Sequence, residues 1–163
     1  MMSNLEPIAL IHAHGLPRHS DQPTARDWAD VLAGFPLFTG ISKRRLRKLA
    51  REATLAEFAP GETIVLTGDR DDDLYIILGG EAKATSRPAA RALRTGDYFG
   101  EVALIDGRPR SAAVVATSEL HVMKLASSSV RKLARRHPAV ALAMFENLAT
   151  QLRRLEAQTA RAT

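Results

Sequence analysis

The sequence lacks cysteine, has few aromatic residues and contains no long hydrophobic run. Without cysteine among its 163 residues, the chain forms no disulfide, no thiolate metal site and no thiol nucleophile. No apolar run approaches the roughly 18 residues that a membrane-spanning helix needs. The N-terminus also lacks the basic start and apolar core of a signal peptide. From these absences we expect a cytoplasmic protein.

The length suits one domain and a tail, and a hydrophobic content of 45% is sufficient for a buried core despite only 5% aromatic residues. The net charge of +5 is unevenly distributed: basic residues exceed acidic ones in 31–60 and in 131–163, around a mildly acidic centre. Basic helices occur in proteins that bind nucleic acid or membrane surfaces. A solvated helix face explains the same pattern, and we favour this simpler interpretation.

Residues 1–30 show no sustained hydrophobic period. Glycine and proline interrupt any helical pattern there, at Gly15, Pro17 and Pro23. The segment also carries three neighbouring histidines, namely His12, His14 and His19. No carboxylate or cysteine at a firm spacing accompanies them, so we predict no metal site. We expect residues 1–30 to be a flexible tail and residues 31–163 to form the folded domain.

Hydrophobic residues recur with a helical spacing on both sides of a central region, residues 54–125. Residues 41–53 are predicted to be helical, with Ser42 as a candidate N-cap. After residue 125, candidate N-caps for a helix over 130–137 are Ser127, Ser128 and Ser129. Pro138 is well placed to open a second helix. That helix would carry one apolar stripe, which predicts a lid or a dimer surface: Ala141, Met144, Phe145, Leu148, Leu152 and Leu155.

Between these helices, residues 54–125 show short apolar runs separated by turn signals about every eight to twelve residues. The turn signals are Pro60-Gly61, Gly68-Asp69, Gly79-Gly80, Arg87-Pro88, Gly96-Asp97 and Asp106-Gly107. Predicted strands include 63–66, 74–78, 112–116 and 120–125. This pattern is typical of an all-β sandwich or barrel. The run Asp71-Asp72-Asp73 lacks the glycine and distal glutamate of an EF-hand, so we expect an exposed strand turn.

Residues 99–112 carry the motif richest in chemistry. They read Phe-Gly-Glu-Val-Ala-Leu-Ile-Asp-Gly-Arg-Pro-Arg-Ser-Ala, with Glu101 and Arg110 on either side of a run that can open a helix. A helix N-terminus offers N–H groups to an anion, and arginine offers a planar fork of donors that fits a phosphate. A carboxylate repels phosphate, so Glu101 needs a donor such as a sugar hydroxyl.

This motif resembles the phosphate-binding cassette of cyclic nucleotide-binding domains. Members of that family read roughly Phe-Gly-Glu-(Leu/Ile/Val)-Ala-Leu, a short spacer, then Pro-Arg-(Ala/Ser/Thr)-Ala. The resemblance extends from about Leu32 to Leu155 and includes Asp73–Ile77 and Arg94–Glu101. It implies a mainly β fold with flanking helices: a helical element in 31–53, a jelly-roll-like β-barrel in 54–125 and two C-terminal helices in 127–158.

The resemblance also implies roles for individual residues. Arg110 would bind the cyclic phosphate, and Glu101 would accept from the ribose 2′-hydroxyl. A surface pair of Arg110 with Asp97 or Asp106 is the alternative for that arginine. Backbone amides and a close fit would come from Gly100, Val102, Ala103, Ser111 and Ala112. The sugar or base side would be lined by Val65 and Ala84, and lid or base contacts would come from Gln151, Arg154 and Leu155.

We therefore expect a regulatory protein that binds cAMP, or alternatively cGMP, and signals through movement of its C-terminal helices. Ser111 does not distinguish the two bases. No cofactor, metal or catalytic residue is predicted, since no Ser–His–Asp order or metal spacing is present. The expected partners are an unidentified protein effector and a second copy through the C-terminal helix. The alternatives are a fragment of a CRP/FNR-type transcription regulator, although this chain itself is not expected to bind DNA, or the sensor of a larger channel or enzyme assembly.

Overall fold

The computed structural model describes residues 24–86 and 89–162, which form two antiparallel sheets and flanking helices. The eight strands are β1 Thr54–Phe58, β2 Thr63–Val65, β3 Leu74–Gly79, β4 Glu81–Ser86, β5 Ala89–Arg94, β6 Tyr98–Phe99, β7 Ala113–Ala116 and β8 Leu120–Leu125. One sheet has the order β1-β8-β3-β6 and the other β2-β7-β4-β5. The three N-terminal histidines and the predicted Arg87-Pro88 turn lie outside the described residues.

The two sheets pack against each other through one apolar core. Residues of both sheets share it: Val65, Tyr75, Ile77, Ala82, Leu93, Phe99, Val114, Ala116, Leu120 and Val122. The mainly β, jelly-roll-like fold with flanking helices is therefore confirmed, although the sheets form a sandwich and do not close into one barrel. The strand predicted over 120–125 has the observed bounds, whereas the strand predicted over 112–116 begins one residue later.

Strand β3 is buried on both faces, which explains its nearly continuous apolar sequence. Tyr75 and Ile77 face the core between the sheets. Leu74, Ile76 and Leu78 face a second core, which the helices supply. The sheet that contains β3 is thus the middle layer of the domain, with helices on one side and the second sheet on the other.

The N-terminal helices are α1 (Ala25–Ala33) and α2 (Lys43–Arg51), joined by a 3₁₀ turn at Pro36–Phe38. A capping box starts α1: the Asp27 carboxylate accepts from the Thr24 N–H at 2.7 Å, and the Thr24 hydroxyl accepts from the Asp27 N–H. The predicted tail limit at residue 30 is therefore wrong, because this capped helix buries Ala29 in the core. Helix α2 is shorter than the predicted 41–53, and the side chain of Ser42 makes no capping hydrogen bond.

The remaining helices are α3 (Glu101–Asp106), α4 (Ser127–Arg136) and α5 (Pro138–Ala162). Helix α4 begins after Ala126, so the three serines lie in its first turn and are not N-caps. The apolar stripe predicted for α5 is not buried as one face: Met144 is buried, whereas Phe145 and Leu152 are each 57% exposed. Within the described part of the chain, no helix is long and apolar enough to cross a membrane.

Candidate functional site

The site begins where β6 passes into α3 through Gly100. This residue has a φ of 96°, a backbone conformation that glycine adopts readily and that residues with a Cβ disfavour. A Cβ at this position would overlap Arg110 Nη1 and would lie 2.6 Å from the carbonyl oxygen of Asp73. Glycine therefore allows the backbone at the start of α3 to approach the Arg110 side chain.

Glu101 and Arg110 are the two buried charged side chains of the described residues, with exposures of 3% and 4%. Burial of a charge is costly unless hydrogen bonds or an opposite charge compensate it. The two side chains meet different partners, so the compensation is separate for each. They are also the two residues for which the resemblance implies ligand contacts, Glu101 with the ribose and Arg110 with the phosphate.

Arg110 is held from three directions. Its Nη1 donates to the Gly100 carbonyl at 3.2 Å, and its Nη2 donates to the Asp73 carbonyl at 2.7 Å and to Asp71 Oδ2 at 3.0 Å. The guanidinium carbon lies 5.5 Å from the centroid of the Tyr75 ring. Its Nε has no partner, and no other buried side-chain nitrogen or oxygen in 24–86 and 89–162 lacks one.

The partners of Arg110 differ from the predicted alternatives. Asp97 accepts from the Arg94 N–H, and Asp106 accepts from the Arg108 N–H. The surface pair with either aspartate is therefore not formed. Asp71 was missed as the partner because it lies 39 positions earlier and no local spacing connects the two.

The aspartate run 71–73 is half-buried and not the predicted exposed turn. Each carboxylate faces a cation: Asp71 pairs with Arg110, Asp72 with Arg131 at 2.9 Å, and Asp73 with Lys124 at 3.4 Å. Burial by itself would raise the pKa of Asp71. Donation from the Asp73 N–H, Arg110 and Tyr75 outweighs burial, so the pKa lies below its ordinary value.

Glu101 contacts the last helix. Its Oε1 accepts from Gln151 Nε2 at 3.0 Å, and the same amide nitrogen donates to Asn147 Oδ1 at 3.1 Å. The family resemblance implies Gln151 only as a lid or base contact. The structure places it directly against the carboxylate that is predicted to bind ribose.

A cavity of about 160 Å³ lies between α3, the loop before β7, strands β4 and β5, and helix α5. Predicted residues that line it are Ala84, Glu101, Val102, Ser111, Ala112, Gln151, Arg154 and Leu155. Gly100, Ala103 and Arg110 are not among the residues that line it. Val65 is not brought to the cavity, because it packs in the core between the sheets. Arg91, Phe99 and Gln158 also line it. Phe99 opens the 99–112 motif but was not predicted as a contact, whereas the positions of Arg91 and Gln158 gave no signal for this role.

The other end of α3 is bonded to α4. Arg131 donates to the carbonyl oxygen of Leu104 through both Nε and Nη2, at 3.0 and 2.8 Å. Because the last carbonyls of a helix have no partner within the helix, this contact caps α3. Helix α3 therefore contacts α5 through Glu101 and α4 through Leu104.

Comparison with known proteins identifies the class of this site. Residues 55–137, about half of the chain, match the sequence profile of the cyclic nucleotide-binding domain family. The chain belongs to this family.

The curated relatives include cAMP-dependent protein kinase regulatory subunits. That of Eremothecium gossypii is 36% identical over 106 residues, covering 64% of this chain and 23% of the relative. That of Emericella nidulans is 35% identical over 111 residues, covering 66% and 27%. The chain thus spans about a quarter of the length of these relatives.

Solved structures show the same fold. The regulatory domain of Toxoplasma gondii PKA with cAMP has a TM-score of 0.69 and 26% identity, covering 77% of this chain and 50% of that one. The Thermus thermophilus catabolite activator protein has a TM-score of 0.63 and 27% identity, covering 76% and 61%.

Proposed function

We propose that this chain is a regulatory domain that binds cAMP, with residues 24–162 as one folded unit. The observation that carries the proposal is the burial of two charges in separate surroundings: Glu101 lines the cavity, and Arg110 directly precedes Ser111, which also lines it. One is an acceptor suited to a sugar hydroxyl, and the other is a donor suited to a phosphate. The names of the relatives support cAMP as the ligand.

The phosphate would be held by Arg110 together with its neighbours. Two carbonyl oxygens and Asp71 already orient the guanidinium, so little side-chain entropy would be lost on binding. The unpartnered Nε is a buried donor that a phosphate oxygen would satisfy. Ser111 lines the cavity next to Arg110 and adds a hydroxyl donor.

The signal would pass through α5. A cavity of about 160 Å³ is smaller than ordinary ligand sites of roughly 300–1,000 Å³, so binding requires the cavity to widen. Gln151 donates to one oxygen of the Glu101 carboxylate, Oε1, and a ribose hydroxyl that bonds to this oxygen would compete with it. A ligand that takes Glu101 would therefore favour a position of α5 in which Gln151 is released. This is a shift between two populations, driven by the difference in ligand affinity.

The output would be an interaction with another protein, and the role is binding and not catalysis. The relatives are regulatory subunits, which makes a protein kinase catalytic subunit the first effector to test. Phe145 and Leu152 on α5 also offer an exposed apolar surface for a second copy of the chain.

Similarity to the Thermus catabolite activator protein favours a sensor for transcription as the second candidate function. A nucleotide-dependent gel shift with DNA tests it.

Isothermal calorimetry with cAMP, cGMP and 5′-AMP tests the proposed function. We expect saturable binding of cAMP, weaker binding of cGMP, and none of 5′-AMP. Arg110→Lys should abolish binding because a single ammonium cannot reproduce the guanidinium contacts. Arg108→Lys is the matched control, since Arg108 is exposed two residues earlier. Absence of heat and of a thermal shift with both cyclic nucleotides would refute the proposal.

A further inference from the structure

A larger cavity of about 460 Å³ lies between α2 and α4, away from Glu101. Its size is that of an ordinary ligand site. The side chains that define this α2–α4 cleft include Arg45, Lys48, Glu52, Lys132 and Arg136. Its floor is apolar, formed by Leu49 and Leu133, which are buried in the helical core.

Two hydrogen bonds connect the helices across the cleft. Arg45, near the start of α2, bonds to His137 after the end of α4. Ser129, near the start of α4, donates to Glu52, which follows the end of α2. The two helices therefore run antiparallel, with a bond at each end of the cleft and Lys48 and Lys132 between these bonds.

The cleft carries an excess of positive charge, since four cations and one carboxylate line it. Lys48, Lys132 and Arg136 are exposed, and none of them joins an ion pair among the described residues. The carboxylate of Glu52, the one acidic group in the lining, is engaged by the Ser129 hydroxyl. Cations that face one another in a concave site raise the local concentration of anionic ligands.

We propose that the α2–α4 cleft binds an acidic segment of a partner protein, in which carboxylates alternate with an apolar side chain. The carboxylates meet the rim of cations, and the apolar side chain enters the recess above Leu49 and Leu133, which are 5% and 8% exposed. This combination is what distinguishes a peptide from other anions. The proposal does not depend on cAMP binding, because the cleft shares no residue with the cavity at Glu101.

Nucleic acid and membrane surfaces fit the cleft less well. The phosphates and sugars of a nucleic-acid backbone would make no apolar contact with the floor of the cleft. Recognition of bases in the major groove needs a protruding helix or ribbon, and the cleft is a recess between helices. Binding at a membrane surface needs exposed apolar side chains. In the described part of the chain, the large exposed apolar residues lie outside α2 and α4: Leu55, Leu66, Ile105, Leu142, Phe145, Leu152 and Leu155.

Fluorescence anisotropy of the full chain with a short labelled peptide that alternates glutamate and leucine tests the proposal. The double variant Lys48→Glu/Lys132→Glu should weaken binding by about tenfold or more, because it places carboxylates against carboxylates. The control Arg153→Glu/Arg161→Glu makes the same change in net charge on exposed positions of α5 and should retain the affinity. Equal thermal melts of all three proteins show that the variants fold, whether or not the chain binds cAMP.

Several outcomes would overturn the proposal. They are the absence of peptide binding, equal weakening in both double variants, and equal binding of a peptide in which glutamine replaces glutamate. Tighter binding of duplex DNA, or of phosphatidylserine vesicles, than of the glutamate peptide at the same salt would also assign the cleft to a different partner.

Discussion

The interaction of Glu101 with the ribose can be isolated by changing one atom on each side. The protein change is Glu101→Gln, which preserves the volume of the side chain and keeps an oxygen that can accept from Gln151. The ligand change is cAMP to 2′-deoxy-cAMP, which removes the hydroxyl. Four dissociation constants measured by calorimetry complete a double-mutant cycle.

The expected magnitude follows from burial. Glu101 is 3% exposed, so a hydroxyl that donates to it makes a hydrogen bond to a charged group with little competition from water. Such bonds contribute about 1.5–3 kcal/mol, against about 0.5–1.5 kcal/mol for neutral partners. Since 1.4 kcal/mol is a factor of ten, the wild type should prefer cAMP over 2′-deoxy-cAMP by roughly 10- to 150-fold. The Glu101→Gln variant should prefer it by roughly 2- to 10-fold.

Glu146→Gln, an exposed change on α5, is the control and should keep the wild-type preference. If the wild type and Glu101→Gln discriminate the two ligands equally, Glu101 does not bind the 2′-hydroxyl, and the assignment of the carboxylate is wrong. A smaller affinity of the variant for both ligands, at an unchanged ratio, would contradict the assignment in the same way.

Three further perturbations test the surroundings of the two buried charges. Gly100→Ala should cost about 1–3 kcal/mol of backbone strain and displace Arg110, whereas Gly107→Ala, with φ 69° and no atom near the added Cβ, should cost only about 1–2 kcal/mol and leave cAMP binding intact; thermal melts with and without cAMP compare them. Asp71→Asn should lower the free energy of unfolding at pH 7. Because the folded pKa of Asp71 is depressed, the wild-type advantage is complete above the ordinary value of about 4 and disappears as pH falls through the folded pKa; urea unfolding at several pH values would contradict this if the advantage were independent of pH. Gln151→Leu removes the donor that competes for Glu101, so cAMP should bind several-fold more tightly by calorimetry, and unchanged affinity would argue against competition.

The sheets and the motif were predictable because their signals are local. In β8, apolar residues and turn signals lie within a few positions of one another, and the predicted bounds are the observed ones. Helix α1 could also have been predicted, because the spacing of Thr24 and Asp27 is that of a capping box. It was missed because nearby prolines suggested an irregular segment. Strand β5 has the sequence Ala-Ala-Arg-Ala-Leu-Arg and was not recognised, because alanine favours helices over strands. Pairing with β4 determines its structure.

The partners of the buried charges could not be predicted, because the fold brings them together from distant positions. Asp71 precedes β3 and Arg110 follows α3, so the two side chains meet only when the fold brings these two segments together. Gln151 reaches Glu101 from 50 positions away, across the turn into α5. Sequence spacing identifies the two charges, whereas the three-dimensional arrangement shows that Arg110 is oriented by Asp71 and that Glu101 accepts a hydrogen bond from Gln151 on helix α5.

The central claim is that Arg110 Nε receives the phosphate, and nuclear magnetic resonance of the arginine Nε–H groups tests it most directly. In the full chain labelled with nitrogen-15, one Nε–H signal, assigned by its loss in Arg110→Lys, should move on addition of cAMP and become protected from exchange with water. The signals of Arg108 and Arg153 should not respond. If cAMP binds while the Arg110 Nε–H signal stays unchanged, the phosphate is held elsewhere and the proposed site is contradicted.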